Sequence, residues 1–180
     1  MKNRQDPERE TSDSQTEVTG TQDRDKESIS PVPLIHQSGR SCKVFLLEAE
    51  DIDLVWDDVA PLIEKALQHA EGELIPGDIK KHLDKGDLRL WIALEDKETI
   101  AAMVTEIIQY PRKKIVRVIT LASLVNMDMW YDFLPMIEGY AIRNDCSSLE
   151  AWSRKGMARK LKDWKHSYDI ITKDLKQRMQ

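Results

Sequence analysis

The stretch KKIVRVITLAS, residues 113–123, is apolar almost without interruption once its two lysines are passed. It is rich in β-branched residues, so it predicts a strand, and no run of about 18 apolar residues elsewhere suggests a membrane span. With side chains alternating, Val116, Val118, Thr120 and Ala122 face one way, and Ile115, Arg117, Ile119 and Leu121 the other. Apolar residues on both sides require cover on both sides, which makes this a central strand in a layered fold.

The remaining elements arrange themselves around that strand. CKVFLLEAE (42–50) reads as a first strand. In DIDLVWDDVAPLIEKALQHA, residues Val55, Val59, Leu62, Ile63, Ala66 and Ala70 recur at helical spacing. Pro61 falls inside that helix and predicts either a kink or a helix that restarts there. IPGDIKKHLDKGD forms a shorter helix, with Pro76 in its first turn and Gly86 suited to its C-terminal cap. LRLWIALED (88–96) and TIAAMVTEIIQYP (99–111) alternate as strands do, and a tight turn at Lys97 and Glu98 joins them as a hairpin. DMWYDFLPMIEGYAIRND predicts a helix with Asp128 as N-cap and a stripe of Trp130, Phe133, Leu134, Ile137 and Ala141. SSLEAWS (147–153), RKGMARKLKDWK and YDIITKDL (168–175) follow as strand, helix and strand. The order is β-α-α-β-β-β-α-β-α-β. It describes an α/β (α+β) fold with a mixed central sheet of about six strands and helices on both faces.

Composition bounds the function. A chain of 180 residues that is 41% hydrophobic supports one domain. Before Pro31 the only strongly hydrophobic residues are Met1, Val18 and Ile29, so residues 1–41 are expected to be a disordered polar tail ahead of a domain at 42–180. The opening MKNRQDPERE lacks the apolar core of a secretory signal, which predicts a soluble, cytoplasmic chain. Cys42 and Cys146 lack CxxC spacing, and His36, His69, His82 and His166 are scattered, so no metal site is expected. Trp56, Trp91, Trp130 and Trp152 fall on apolar faces and are expected as core or core-edge anchors. The formal charge of −5 argues against nucleic-acid binding by the chain as a whole. The segment Arg154–Arg178 nonetheless holds nine Lys or Arg against three Asp, with Trp164 among them. It reads as a solvated helix face, or as a docking surface for an anion such as a coenzyme phosphate.

The element order and three stretches, LEAWSRKGMARKLKDW, GDIKKHLDKGDLRLWIA and AAMVTEIIQYPRKKIVRVITLAS, resemble the GNAT superfamily of N-acetyltransferases, and in particular the GNAT-like proteins encoded by phages and prophages. The resemblance covers about residues 42–175. It implies transfer of an acetyl group from acetyl-CoA to an amine. It also implies a fourth strand that splays from its neighbour so that its backbone pairs with the pantetheine arm, here at Ile119, Thr120, Leu121 and Ala122. A carboxylate base is implied as well, for which Glu106 is the best-placed candidate, with an exposed strand glutamate as the ordinary alternative. Arg154, at the passage from strand to last helix, is the candidate phosphate contact, and a solvent-exposed arginine is its ordinary reading.

Two family features are altered. The glycine-containing pyrophosphate loop is replaced by SLVNMDMW, where Leu124, Val125 and Met127 carry side chains and Asp128 a negative charge. Where the family's acid tyrosine is expected, in ARKLKDWKHS, stands Lys162 or a neighbour, with Tyr168 six residues on. Two functions follow. One is an acyltransferase using acetyl-CoA or a related acyl-CoA. The other is a catalytically silent GNAT-fold protein, a binding or virion-associated component with a phage or host protein as partner.

Overall fold

The structure, a computed structural model, describes residues 32–35, 41–70, 72–125, 129–153, 156, 159, 161, 163–167, 171 and 173. The strands are β1 (Val32–Ile35), β2 (Ser41–Leu47), β3 (Leu88–Glu95), β4 (Glu98–Gln109), β5 (Lys114–Ser123) and β6 (Ser148–Ala151). The helices are α1 (Ile52–Leu67), α2 (Pro76–Asp84) and α3 (Met129–Arg143). All six strands form one sheet in sequence order, antiparallel except between β5 and β6, which run parallel. A parallel neighbour requires a crossover, and α3 supplies it.

Two apolar layers sandwich the sheet. On one face Val44, Trp91, Met103, Val116 and Val118 pack with Phe133, Ile137 and Tyr140 of α3. On the other, Leu90, Ile92, Val104 and Ala122 pack with Val59, Leu62 and Ile63 of α1 and Ile79 and Leu83 of α2. This is the two-sided cover that the apolar run at 113–123 demands. Within the first layer Trp91 Nε1 donates to Thr105 Oγ1 at 3.0 Å, and the Trp91 and Tyr140 rings meet edge to face at 5.3 Å. Among the described residues no helix is long and apolar enough to cross a membrane.

Several local expectations are met with shifts. α1 runs unbroken through Pro61, because Pro61 and Asp57, whose carbonyl loses its helical partner, both lie on the exposed side. α2 starts at Pro76 and ends with Gly86 at φ +74°, where the Gly86 and Asp87 amides donate back to Leu83 and His82. The β3–β4 turn sits at Asp96 and Lys97 rather than Lys97 and Glu98, since Glu95 pairs with Glu98. Both turn residues have positive φ, as a two-residue hairpin demands. β1, which pairs with β2, lies inside the segment read as tail. Most of the basic helix and the last strand, 168–175, lie outside the described residues.

Trp152 departs from its expected role. It is 59% exposed, having been carried past the end of β6. Trp164, within the basic segment, packs against the α3-side core.

Thr105→Val should lower stability by about 1–3 kcal/mol, because the fully buried Trp91 N–H then has no acceptor. Urea unfolding of the two proteins side by side measures it.

Candidate functional site

β5 is held unequally by its two neighbours. On the β4 side the ladder extends from Gln109↔Lys114 to Ala101↔Ser123. On the β6 side it covers only Ile115↔Ser148 to Val118↔Ala151. Ile119 to Ser123 therefore present a strand edge that no strand pairs among the described residues, about 16 Å long at ordinary strand rise. Backbone groups along such an edge call for partners, and an extended amide-bearing ligand supplies them as a strand would.

The edge opens at a bulge. Thr105 pairs with Val118 and Val104 with Thr120, so Ile119 has no opposite number. Its insertion breaks the strict alternation read from the sequence. Val118 and Leu121 pack in the α3-side layer, while Ile119 and Ala122 pack in the α1–α2 layer. Thr120, opposite Val104, also falls on the α1–α2 face. Bulges bend a strand and increase its twist, which favours parting from a neighbour.

Glu106 belongs to a row that crosses four strands on that same face: Leu88, Glu106, Arg117 and Glu150 are paired in turn. Arg117 is fully engaged. Its Nε lies 2.7 Å from Glu150 Oε1, its Nη2 donates to Tyr110 Oη at 3.0 Å, and its guanidinium sits 4.4 Å from the centroid of the Trp152 ring. Exposed Trp152 is thus the lid of a cation stack, and its own Nε1 donates to Glu150. Because Glu150 takes the guanidinium, Glu106 has no ion pair or hydrogen bond among the described residues.

Glu106 also lines an open cleft of about 440 Å³ beside the start of β3, with His82, Asp87, Arg89 and Tyr140. His82 Nδ1 lies 3.0 Å from Asp87 Oδ2, and Arg89 donates to the carbonyls of Gly86 and Leu88. Burial pushes the Tyr140 phenol up, against the pull of the Arg89 guanidinium, which keeps it protonated at neutral pH. The cleft thus offers a carboxylate, an imidazole and a hydroxyl donor to a polar guest. Among the described residues no group of three or more His, Cys, Asp or Glu is placed to hold a metal ion.

The structure places Ile119, Thr120, Leu121 and Ala122 together on the unpaired edge. Glu106 stands one strand away, two residues along β4 from Val104, the partner of Thr120. Arg154 lies outside the described residues, as do Met127 and Asp128. After β5 the chain turns through a hydrogen bond from the Val125 amide to Ser123 Oγ at 3.2 Å, with Leu124 62% and Val125 43% exposed. Sequence reasoning missed the Arg117, Glu150, Tyr110 and Trp152 cluster. Only the strand character of 148–151 hinted at it, since the partners are 33 residues apart.

Arg117→Met should cost about 1–3 kcal/mol in urea unfolding, less than breaking a fully buried pair, because Arg117 and Glu150 side chains remain 14% and 18% exposed.

No protein-family profile and no curated protein matches the chain. Solved structures do. A GNAT family acetyltransferase from Staphylococcus aureus superposes with TM-score 0.53 at 14% identity, over 74% of this chain and 98% of that one. A predicted acetyltransferase from Clostridium acetobutylicum, solved with acetyl-CoA, gives TM-score 0.56 at 12% identity, over 74% and 96%. An aminoglycoside N-acetyltransferase in complex with CoA gives TM-score 0.59 at 10% identity, over 77% and 97%. The fold of this chain is that of the GNAT acetyltransferases.

Proposed function

We propose that this chain is an acyltransferase of GNAT type, which binds acetyl-CoA or a related acyl-CoA along the unpaired edge of β5 and passes the acyl group to an amine. The observation that carries the reading is the end of β5–β6 pairing at Val118 among the described residues, beside the bulge on Ile119. In this reading the backbone of Ile119, Thr120, Leu121 and Ala122 pairs with the amides of the coenzyme arm. Arg154, as the chain leaves β6, contacts a phosphate. Acetyl-CoA-bound and CoA-bound proteins among the structural neighbours support the same use of this fold.

Glu106 is the base. Among the described residues it carries no partner that would have to be displaced, and it lines the cleft through which the acceptor arrives. The amine nitrogen bonds to the carbonyl carbon, Glu106 takes the amine proton, the C–S bond breaks, and the electron pair leaves on sulfur, which solvent reprotonates.

A second reading retains coenzyme-fold architecture without transfer, as a binding component. It is favoured by the junction after β5, where Leu124 and Val125 stand in place of glycines and a pyrophosphate would meet side chains rather than bare amides.

Calorimetry of the full chain should show saturable micromolar binding of acetyl-CoA. No heat at millimolar ligand, from a protein with a cooperative melt, rules the transferase out. Glu106→Gln should leave that binding unchanged and slow CoA release in the presence of a primary-amine panel by about 10²–10⁴-fold. Binding without CoA release in the wild type selects the second reading.

A further inference from the structure

Thr120 is 7% exposed, and its Oγ1 makes no hydrogen bond; among the described residues it is the only buried side-chain nitrogen or oxygen without one. Leaving a buried hydroxyl unsatisfied is unfavourable, whereas valine would fill the same space without that cost. Among the described residues nothing satisfies it. Its cross-strand partner is Val104, and the neighbours on its face, Ile119 and Ala122, are apolar like the α1 side chains above them. The orphan hydroxyl lies on the unpaired stretch of β5, one residue beyond the bulge.

Direction decides what it could meet. A coenzyme arm paired with the strand edge runs in the plane of the sheet. Thr120 points out of that plane, toward the face that also carries Glu106. The one part of an acyl-CoA that must reach the edge and also meet an amine deprotonated by Glu106 is the acyl carbonyl. We propose that Thr120 Oγ1 donates a hydrogen bond to the carbonyl oxygen of the acyl thioester, so that this side chain distinguishes acyl-loaded from free coenzyme. The inference rests on the acyl-CoA reading above. The proton stays on Thr120 throughout; as the amine adds, charge grows on the carbonyl oxygen and the bond strengthens.

The test is calorimetry of the full-length wild type, Thr120→Val and Thr120→Ser with acetyl-CoA and with CoA, together with thermal melts of the unliganded proteins. Wild type should bind acetyl-CoA more tightly than CoA. Thr120→Val should lose about tenfold in acetyl-CoA affinity with CoA affinity unchanged, and Thr120→Ser should retain the wild-type preference. Unliganded Thr120→Val should melt at or above the wild-type temperature, since it removes an unsatisfied hydroxyl. Equal loss for both ligands, or no loss for either, overturns the assignment while leaving the acyl-CoA reading intact. A Thr120→Val melt several degrees below wild type also overturns it, because the hydroxyl then has a protein partner. Wild type that binds neither ligand overturns the acyl-CoA reading and the assignment with it.

Discussion

The interaction on which this molecule depends is the β4–β5 ladder. It is the longest pairing in the sheet, running from Gln109↔Lys114 to Ala101↔Ser123, and both of its strands are buried between helical layers. Because β4 pairs with β5 on both sides of the bulge at Ile119, β5 stays extended beyond the end of its pairing with β6. An edge strand free on one side and clamped on the other is a stable template. Without that clamp, the five residues beyond Val118 would be a loop.

The two faces of the sheet divide the labour. The α3 side is conventional core, with Trp91 anchored to Thr105 and meeting Tyr140 edge to face. The α1–α2 side mixes core and chemistry, since its apolar layer gives way along the row Leu88, Glu106, Arg117 and Glu150 to charge. Within that row the charges are not equivalent. Arg117 is consumed by Glu150, Tyr110 and Trp152, and Glu106 is spared. A guanidinium locked by one carboxylate keeps the other from being neutralised, although the two side chains are cross-strand neighbours.

Local features were legible in the sequence. The α2 boundaries followed from Pro76 and Gly86, because a cap depends on residues within one turn. The hairpin and the covered central strand followed from alternation and β-branching. The shift of the hairpin turn to Asp96 and Lys97 was not legible, since neither is glycine, although both adopt positive φ. Trp152 was misread for a related reason: the apolar pattern of 147–153 outlasts β6, which ends at Ala151, so the last aromatic is carried beyond the core.

The candidate site shows the same boundary more sharply. Glu106 and residues 119–122 were singled out through the family resemblance, and alternation assigned 119–122 sides that the bulge at Ile119 then rearranged. The extra residue at Ile119, the end of pairing at Val118, the placement of Glu106 two residues from the partner of Thr120, and the capture of Arg117 by a residue 33 positions away could not be read from the sequence. Periodicity in a sequence records which way a side chain points relative to its own strand. Register, and with it the place where a strand is left unpaired, is set by which residues of another strand lie opposite. A slip of one residue reverses every face without changing the local pattern. The sequence by itself determined the elements and which of their residues are apolar; only tertiary pairing decided the faces of β5 beyond Val118, where β5 opens and what stands beside the opening.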